Sequence, residues 1–428
     1  MPIADELVRI LEAWLGRPSP VRVEAWDGSL AGHANAPTTI VFESPDALRR
    51  ILYAPNELGL ARAYVAGDLD VRGDVFGLFA LRDAMAAPAE ETDLRVPRLE
   101  LLRLARRTGA LGRPLPRPRE EARLSGRRHS LARDARAIAH HYDVSNEFYR
   151  LVLGETMTYS CAYFARPDVT LDEAQHAKHE HVCRKLRLRP GMRLLDVGCG
   201  WGGMAMHAAG EHGVTVVGVT ISRRQAELAA KRVAEAGLAD RVTIRLQDYR
   251  DISDGPYDAI SSIGMFEHVG LSHLGAYLGR LHDLLRPRGR LLNHAISRAH
   301  PKRTSFAPKS FIARFVFPDG ELHEVGSVVT AMQGLGFEVR DVESLREHYA
   351  TTLRAWVRNL EAGWGEAVQR AGRARARIWR LYMAGSAAAF DAGRINVHQV
   401  LAVKPDSTGA SALPPTREAW YATSPLPG

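Results

Sequence analysis

Hydrophobic and polar positions follow a regular pattern over the larger, C-terminal part of this chain. From about residue 137 onward, apolar runs typical of β-strands alternate with stretches of helical periodicity, and the stretch after Ile221 carries an apolar stripe at Ala226, Leu228, Ala229 and Val233. Such alternation predicts an α/β fold with a parallel sheet covered by helices on both faces. The seven predicted strands span residues 193–198, 214–220, 241–247, 257–265, 289–296, 339–345 and 395–404.

The sequence as a whole divides into four predicted regions. Residues 1–100 mix short strand-like runs with helical stretches, which predicts a smaller N-terminal α+β domain. Residues 101–136 contain eleven arginines against three acidic residues, an excess equal to the net charge of +8 of the whole chain. Because proline and glycine are frequent there, we predict an extended basic linker before the α/β domain at 137–404. Residues 405–428 are rich in Pro, Ser and Gly, which predicts a flexible tail.

Composition narrows the classes of protein that fit this pattern. The chain has 428 residues, 46% of them hydrophobic and 25% charged, which is typical of globular domains. No apolar run approaches the roughly 18 residues of a membrane span, and the N-terminal stretch predicts an amphipathic helix rather than a signal peptide. We therefore expect a cytoplasmic protein. Its three cysteines form no CxxC pair, so neither a disulfide framework nor a zinc site is expected.

The basic linker and a second cationic segment leave alternatives open. The linker is either a solvated connection or a surface that binds the anionic head groups of a membrane. Nucleic acid would attract the same charges, but no recognised nucleic-acid module accompanies them, so we expect no nucleic-acid partner. Residues 301–324 combine four phenylalanines with basic residues, which fits either a membrane-facing lid or a packed insertion. An arginine-rich helix at 370–380 would add to the same face.

Three histidines invite a metal interpretation that their spacing does not favour. His176, His179 and His181 follow Thr170 and Glu173, which fit a capping box at the start of a helix. Their spacing lacks the HExxH pattern of a helical zinc site. We therefore predict a solvated helix face and no metal.

The strongest local signal is the run LLDVGCGWGG at residues 194–203. It places Asp196 at the end of a strand, and Gly198, Gly200 and Gly202 before a predicted helix. Glycines let the backbone approach a ligand closely, and the first turn of a helix offers unpaired N–H groups to it. The spacing G-x-G-x-G-G differs from the dinucleotide fingerprint G-x-G-x-x-G, which favours S-adenosylmethionine over NAD as the ligand.

Polar residues at the ends of the next two strands complete this predicted site. A dinucleotide site would carry an acidic residue about 20 positions past the glycines. This chain has Thr220 and Gln225 there instead, while Gln247, Asp248 and Tyr249 close the third strand. We expect these five residues to contact the cofactor.

Five runs, in their order along the chain, resemble those of the cyclopropane-fatty-acyl-phospholipid synthases and the related mycolic-acid cyclopropane synthases. They are YDVSNEFYRLVLGETMTYSCAYF at 142–164, LLDVGCGWGG at 194–203, VGVTIS at 217–222, QDYR at 247–250 and GMFEHVG at 264–270. The resemblance implies a seven-stranded Rossmann-like class I methyltransferase domain over residues 137–404. Residues 59–79 resemble the extra N-terminal domain of the phospholipid-acting branch, which implies a lipid- or membrane-associated domain at 1–100.

The resemblance also implies the cofactors and the residues that would bind them. S-adenosylmethionine would be held by Tyr159, Ser160, Gly198, Gly200, Thr220, Gln225 and Gln247 with its neighbours. The family's catalytic centre is a bound bicarbonate ion, which would be held by Cys161, Glu267, His294, the backbone of Ile296, and Tyr349. The family often has aspartates on both sides of that tyrosine, where this chain has His348 and Ala350.

The implied reaction is transfer of a methyl group to the cis double bond of an unsaturated phospholipid acyl chain. The resulting carbocation would lose a proton to bicarbonate and close a cyclopropane ring. A different proton loss would give a methylene, which a partner reductase would turn into a methyl branch. A methyltransferase for a small molecule is a third alternative. The resemblance further implies peripheral association with the inner face of a membrane, as a single chain or a homo-oligomer.

Overall fold

The computed structural model describes residues 1–83, 97–122, 145–299, 306–307, 309–318 and 320–418. Contacts within the chain divide it into two compact units, which we call the smaller unit and the larger unit. The smaller unit comprises Met1–Ser125, Phe306–Pro318 and Leu360–Ala388, and the larger unit comprises Gly126–Ser305, Asp319–Asn359 and Ala389–Gly428. The N-terminal domain is therefore not continuous in sequence as predicted, because two later segments pack into it.

The smaller unit contains helices and a four-stranded sheet, as the α+β prediction expects. Its first elements are α1 (Ile3–Leu15), β1 (Arg22–Ala25), β2 (Leu30–Ala31), β3 (Thr38–Phe42), α2 (Asp46–Tyr53), α3 (Glu57–Ala66), β4 (Leu69–Gly73), α4 (Gly77–Asp83) and α5 (Arg98–Arg107). The strand order is β2-β1-β3-β4, and only β1 and β3 are parallel. Apolar side chains of α1, α2 and α5 share one core with β1.

Beyond residue 144, helices and strands alternate as the sequence pattern predicts. The helices are α6 (Asn146–Leu153), α7 (Leu171–Leu186), α8 (Gly203–His212), α9 (Arg223–Glu235), α10 (Leu274–Leu284), α11 (Val325–Gly334), α12 (Arg346–Ala362), α13 (Trp364–Ala371) and α14 (Arg373–Asp391). The strands are β5 (Arg193–Val197), β6 (Thr215–Thr220), β7 (Val242–Leu246), β8 (Tyr257–Ile263), β9 (Leu285–Arg298), β10 (Glu338–Ser344) and β11 (Ile395–Val403). All seven predicted strands are confirmed.

The larger unit is built on one sheet of order β10-β11-β9-β8-β5-β6-β7. Strands β5 to β9 run parallel to one another, whereas β11 runs antiparallel to both β9 and β10. The prediction of a wholly parallel sheet is therefore wrong at β11, because apolar periodicity shows which residues are buried and not the direction of a strand. Neighbouring residues of β5 face opposite sides: Leu194 packs with α7 and α8, and Leu195 with α10 and α11.

The strand order also locates the crevice of the sheet. Strand β5 lies between β6 and β8. The next two strands along the chain, β6 and β7, continue the sheet on one side of β5, and the later strands continue it on the other side. In open α/β sheets, ligands bind at the carboxyl ends of the strands at such a point. The glycine run begins there, directly after β5.

The segments predicted to be linker and tail are partly folded. Helix α5 contributes to the core of the smaller unit, and the buried carboxylate of Glu121 accepts hydrogen bonds from Arg62 at 2.7 and 2.8 Å. The prediction of an extended linker is wrong for these residues, because their charges and apolar side chains have partners. Arg417 likewise donates to Asp341 at 2.8 Å, so the predicted tail is folded at least that far. Residues 123–136 of the predicted linker and the last ten residues lie outside the described residues.

The aromatic segment predicted as a lid or a packed insertion is packed where it is described. The rings of Phe311 and Phe315 are buried, with centroids 5.6 Å apart. The Phe317 ring meets Tyr382 edge to face at 5.7 Å. These aromatic side chains therefore pack within the smaller unit instead of facing a membrane.

The arginine-rich helix is also buried rather than membrane-facing. Arg377 and Arg380 of α14 are 4% and 8% exposed. Arg377 pairs with Asp70 at 2.6 Å, and Arg380 pairs with Glu361 at 2.6 Å. The predicted cationic membrane surface is therefore wrong for these two arginines, whose charges are neutralised inside the smaller unit. No helix in the described parts of the chain is both long and apolar enough to cross a membrane.

Candidate active site

Glycines at the end of β5 line a cavity of about 150 Å³. Gly198 and Gly200 have φ angles of +75° and +55°, which are costly for a residue that carries a side chain. A Cβ atom at Gly198 would also lie 3.3 Å from the Cβ of Met265. The predicted cofactor residues that line the cavity are Tyr159, Ser160, Asp196, Gly198, Gly200, Thr220, Gln225, Gln247, Asp248 and Tyr249.

Gly202 is the one predicted cofactor residue that does not line this cavity. It is the N-cap of α8 with φ +83°, and a Cβ there would lie 3.4 Å from the Cβ of Ala229 in α9. The glycine therefore allows close packing of two helices behind the loop. Its predicted role changes from ligand contact to support of the cofactor loop.

Hydrogen bonds join the strand ends on the other side of the cavity. The Thr220 hydroxyl donates to Gln225 Oε1 at 2.9 Å, and the Gln247 N–H donates to the Thr220 carbonyl at 3.0 Å. The Asp248 carboxylate accepts from Arg250 Nε at 2.8 Å. The polar ends of β6 and β7 therefore form one connected wall, in the place where the sequence lacks the acidic residue of a dinucleotide site.

Helix α7 holds the segment that carries Tyr159 and Ser160. The Gln175 amide donates to the Thr158 carbonyl at 3.3 Å and to the Ser160 carbonyl at 2.8 Å. One turn later, the Lys178 ammonium donates to the Ser160 hydroxyl at 3.1 Å. The sequence analysis missed both α7 residues, because polar residues at helical spacing are more often solvated than buried. Their i, i+3 spacing on one helix face is the signal that could have linked them.

Aromatic rings extend from Tyr159 toward the predicted bicarbonate site. The Tyr159 ring centroid lies 6.0 Å from that of Tyr149 and 5.3 Å from that of Trp356. Trp356 in turn meets Tyr349 at 6.0 Å, and Tyr349 lies 4.7 Å from Phe390. A continuous aromatic cluster therefore connects a predicted cofactor residue with a predicted bicarbonate residue.

Glu267 lies in the 3₁₀-helix Phe266–His268, which follows β8. Its Oε1 accepts a hydrogen bond from the Ile296 N–H at 2.8 Å, and its buried Oε2 has no partner among the described residues. Burial raises the pKa of Glu267 to about 7, against the opposing effect of the Ile296 N–H. Glu267 and Ile296, which were both predicted to bind bicarbonate, are thus adjacent. In this structure the Ile296 N–H is bonded to Glu267.

His294 lies two residues before Ile296 on β9. Its Nδ1 is 3.3 Å from Gln399 Nε2, and its buried Nε2 has no partner within the described ranges. Burial, reinforced by the charge of Lys178, lowers the pKa of His294 to about 3, so the imidazole is neutral. An amide N–H donated to Nδ1 places the imidazole proton on Nε2. The sequence analysis missed Gln399, which only the pairing of β9 with β11 brings beside His294.

Cys161 and Tyr349 meet at the start of α12. The Cys161 thiol donates to the Leu345 carbonyl at 3.6 Å, and the Tyr349 N–H donates to the same carbonyl at 3.1 Å. The Leu345 N–H is bonded to Val397, which pairs with Ile296. Hydrogen bonds therefore connect Cys161 and Tyr349, through Leu345, to β11, the strand that pairs with β9 at Ile296. Burial raises the pKa of the Cys161 thiol, which keeps it protonated and unsuited to act as a nucleophile.

His348 occupies one of the positions where this chain departs from the family's usual aspartates. Its Nδ1 accepts a hydrogen bond from the Phe164 N–H at 3.1 Å. Its ring also stacks on Tyr163 with centroids 4.8 Å apart. The histidine therefore fixes the backbone that follows Cys161.

The histidines of α7 do not form the predicted solvated face. His179 and His181 are 2% and 5% exposed. His181 pairs with Glu343 at 2.7 Å, and His179 lines the cavity, so packing of α7 onto the sheet buries them. The prediction fits only His176, which is exposed.

A separate cluster of potential metal ligands lies between α7 and α8. The ligand atoms of Cys183, His207 and His212 lie within 4.8 Å of one another. Glu180 is 2.9 Å from His212 Nε2 and 3.3 Å from His207 Nε2. The two imidazoles therefore share a carboxylate, and hydrogen bonding accounts for this arrangement.

Comparison with known proteins shows the family to which this chain belongs. A family model described as mycolic acid cyclopropane synthetase matches residues 129–400. This chain belongs to that family. A probable fatty acid methyltransferase of Mycobacterium tuberculosis is 44% identical over 407 residues, which cover 92% of this chain and 93% of the relative. The cyclopropane-fatty-acyl-phospholipid synthase of Escherichia coli K12 is 35% identical over 373 residues, which cover 87% and 89% of the two chains.

Solved structures agree with the family. A mycolic acid cyclopropane synthase complexed with SAH and CTAB superposes with a TM-score of 0.60 and 38% identity, over 63% of this chain and 98% of that chain. The predicted class I methyltransferase fold is confirmed. This member of the cyclopropane synthase family is therefore an S-adenosylmethionine-dependent methyltransferase that acts on fatty acyl chains. The cavity at the glycine loop is where the larger unit would hold the methyl donor.

Proposed function

We propose that this methyltransferase alkylates the cis double bond of unsaturated acyl chains in phospholipids and forms cyclopropane rings. The observation that carries the proposal is the pair Glu267 and His294, each buried with one unpartnered polar atom. They are connected through Ile296, whose N–H binds Glu267 and whose side chain shares a strand face with His294. Such a pair offers one acceptor and one donor to a small ligand between them.

Bicarbonate fits the chemistry of this pair. It presents one hydroxyl as a donor and its other oxygens as acceptors. Glu267 Oε2 is an acceptor when ionised, and neutral His294 offers its Nε2–H as a donor. When bound, bicarbonate would supply the base that accepts the proton released by the alkylated acyl chain. Glu267 and His294 would orient it, the Ile296 N–H would hold Glu267 in place, and Cys161 and Tyr349 would enclose the same region.

The aromatic cluster fits the requirements of the alkylation step. An isolated double bond is a weak nucleophile, so the reacting carbon must be held close to the methyl donor. Its attack on the methyl group breaks the sulfur–methyl bond and leaves a carbocation on the acyl chain. Water would capture that cation, so an apolar wall is needed. The rings of Tyr159, Trp356 and Tyr349 would supply such a wall beside the cavity, which Tyr159 lines.

The phospholipid form of the substrate is supported by the smaller unit. The match to the phospholipid synthase of E. coli covers 87% of this chain, whereas the solved mycolic acid synthase covers 63%. A match over 87% of the chain extends into residues 1–128, which precede the family model's match at 129–400 and provide most of the smaller unit, so we assign to this region the presentation of membrane phospholipids. The arginines at the start of the predicted linker are available for an anionic membrane surface: Arg103 and Arg106 are exposed on α5.

A methylene product is the second candidate, because the 44% identical relative is named a fatty acid methyltransferase. In that reaction, a hydride shift moves the cation to the methylated carbon. Loss of a proton from the methyl group then leaves an exocyclic methylene, which a partner reductase would convert into a methyl branch. The same groups around Glu267 would serve both outcomes.

Bicarbonate dependence and product structure test the proposal together. The protein is incubated with S-adenosylmethionine and vesicles of cis-monounsaturated phospholipid, in carbonate-free buffer and in buffer with bicarbonate. We expect methylated lipid to form only when bicarbonate is present. Mild catalytic hydrogenation then separates the products, because a methylene takes up H₂ and a ring does not. Equal rates in both buffers would contradict bicarbonate as the base, and uptake of H₂ would select the methylene product.

A further inference from the structure

A cysteine, two histidines and a glutamate meet where α7 packs on α8, and the reaction steps above use none of them. The ligand atoms of Cys183, His207 and His212 all lie within 4.8 Å of one another. The Oε2 atom of Glu180 lies 2.9 Å from His212 Nε2 and 3.3 Å from His207 Nε2. Cys183 is fully buried, and the side chains of His207 and His212 are 11% and 14% exposed. A sulfur, two imidazoles and a carboxylate therefore converge at one nearly enclosed place.

Packing and hydrogen bonding account for part of this arrangement. Cys183 belongs to the apolar core that α7 and α8 share with the sheet, and a buried free cysteine usually acts as a small apolar side chain. Hydrogen bonds to Glu180 satisfy the two imidazoles. Neither effect requires the sulfur to lie beside both imidazoles. This juxtaposition is the observation that points to a ligand.

The four groups match the ligands that a transition metal prefers. Thiolate and imidazole bind zinc and similar first-row ions, whereas Mg²⁺ and Ca²⁺ prefer oxygen ligands. Glu180 and Cys183 come from α7, and His207 and His212 come from α8. Four protein ligands complete a tetrahedral site and leave no position for a substrate, which is typical of a structural ion. Because the ligands come from two helices, no local spacing in the sequence indicates the site.

We propose that Glu180, Cys183, His207 and His212 bind one divalent transition-metal ion of the zinc class, which ties α7 to α8. On binding, the Cys183 thiol releases its proton to solvent and its sulfur bonds to the ion. Each histidine binds as a neutral imidazole through Nε2, with its remaining proton on Nδ1, and Glu180 Oε2 becomes the fourth ligand. Zinc bonds of about 2.0–2.3 Å bring tetrahedral ligand atoms to roughly 3.3–3.8 Å from one another, so side-chain movements of about 1 Å suffice.

Arg184 holds the carboxylate in the orientation that this site needs. Its Nε donates to Glu180 Oε1 at 2.6 Å, which leaves Oε2 directed at the two imidazoles. Hydrogen bonds from outside a metal site commonly orient its ligands in this way. The carboxylate is therefore already placed for the ion before the ion binds.

The proposed site lies directly behind one wall of the cofactor cavity. The His207 ring centroid is 5.6 Å from that of His179, which lines the cavity. Helix α8 begins at Gly203, where the glycine loop ends, and α7 carries Gln175, whose amide donates to the Ser160 carbonyl. An ion between the two helices would therefore hold both walls in place. Its role is to stabilise the cofactor site and not to take part in the reaction.

Cobalt binding tests the site on the full-length protein without cofactor or lipid. Protein treated with a chelator is titrated with Co²⁺ under reducing conditions. Tetrahedral Co²⁺ with a thiolate ligand gives a sulfur-to-metal charge-transfer absorption, which octahedral Co²⁺ in water lacks. We expect native protein to show this absorption at one ion per chain and to lose it when Zn²⁺ displaces the cobalt.

Two ligand variants and two controls locate the ion. Cys183→Ser should abolish the charge-transfer absorption, and His212→Gln provides a second variant outside the apolar core should the first fail to fold. We expect each to bind Zn²⁺ about a hundredfold or more weakly, because loss of an outer partner alone costs about 10- to 100-fold. Cys199→Ser removes a buried cysteine outside the cluster, and His33→Gln removes an exposed histidine of the smaller unit. Both controls should keep the native absorption and affinity.

Thermal unfolding gives a second measurement that does not depend on the spectrum. Because the ion binds only the folded protein, Zn²⁺ should raise the Tm of the native protein and of both controls, and should leave the Tm of the two ligand variants nearly unchanged. Native protein without the thiolate absorption, or a folded ligand variant with native Zn²⁺ affinity, would overturn the proposal. No acyl chain is involved, so the result is independent of the proposed lipid product.

Discussion

At the scale of single residues, Glu267 determines how the site responds to protons. Its carboxyl group is held by one backbone N–H, and burial raises its pKa to about 7 from the ordinary value of 4.5. Near neutral pH, a large share of the free protein therefore carries a protonated Glu267. A ligand that donates a hydrogen bond to Oε2 would favour the ionised form of Glu267. Binding of such a ligand is therefore coupled to loss of the proton from Glu267.

The raised pKa predicts a pH-dependent difference in stability between native protein and Glu267→Gln. Between pH 4.5 and 7 the folded state holds this proton more tightly than the unfolded state, so the contribution of Glu267 to the unfolding free energy falls as pH rises. Glutamine resembles the protonated side chain and has no such dependence. Relative to native protein, we expect the variant to gain roughly 1–3 kcal/mol between pH 5 and pH 8, as measured by urea unfolding. A constant difference at both pH values would contradict the raised pKa.

Gln399 predicts a second effect at the residue scale. Replacing it with leucine removes the amide beside His294 Nδ1 and frees the imidazole to change its tautomer. We expect kcat for lipid methylation to fall about tenfold or more, with binding of S-adenosylhomocysteine unchanged. Steady-state kinetics and calorimetry on the same protein check both parts. A weaker cofactor affinity at full kcat would place Gln399 in a different role.

Functional residues could be predicted from the sequence where they lie in a recognisable motif. Cys161 and Glu267 lie in runs that resemble a known family, and the structure places Glu267 against Ile296, two residues along β9 from His294. Lys178 and Gln399 carry no such motif, and their polarity alone predicts exposure. Only the packing of α7 and the pairing of β9 with β11 show that they are buried.

At the scale of secondary-structure elements, the turn between β5 and α8 requires a glycine at position 198 for two reasons. The backbone at Gly198 has a positive φ, and a side chain there would approach Met265. The seven strands themselves were predictable, because each is a bounded apolar run. Strand direction at β11 was not, since either direction buries the same residues.

Gly198 and Gly210 provide a matched pair of glycine-to-alanine substitutions at this scale. Gly198→Ala places a side chain at a positive φ, at a cost of about 1–2 kcal/mol, so we expect S-adenosylhomocysteine to bind about fivefold or more weakly. Gly210 is exposed inside α8 with open space at its Cβ position. Gly210→Ala should leave binding unchanged and stabilise the protein by about 0.5–1 kcal/mol. Calorimetry and thermal unfolding of both variants would show whether cofactor binding is weakened only by a methyl group in the turn, and not by one added elsewhere.

At the scale of the whole molecule, the smaller unit depends on chain segments that are far apart in sequence. Arg377 of α14 donates to the carbonyls of Tyr64 and Leu69 and pairs with Asp70. No local sequence pattern reports such long-range pairing, which is why the predicted boundaries divided the chain into consecutive regions. The linear division would have separated α14 from β4, whose Asp70 pairs with Arg377.

This arrangement predicts a large cost for removing the carboxylate that pairs with the buried Arg377. Asp70→Ala leaves Arg377, which is 4% exposed, without its carboxylate. We expect the unfolding free energy to fall by about 3–5 kcal/mol. Glu24→Ala is the control, because its partner Arg72 is 57% exposed and a surface pair contributes about 0–1 kcal/mol. Similar losses in the two variants, measured by chemical unfolding, would mean that the Arg377 pair does not organise the smaller unit.

Mass spectrometry of membrane lipids most directly tests whether the enzyme alkylates phospholipid acyl chains through Glu267. Native protein and Glu267→Gln are each incubated with S-adenosylmethionine, bicarbonate and vesicles of cis-monounsaturated phospholipid, after cofactor binding has been confirmed for both. We expect native protein to add the mass of one CH₂ to the acyl chains and the variant, although it binds the cofactor, to add little or none. Unmodified lipid with the native protein, or equal modification by both proteins, would contradict it.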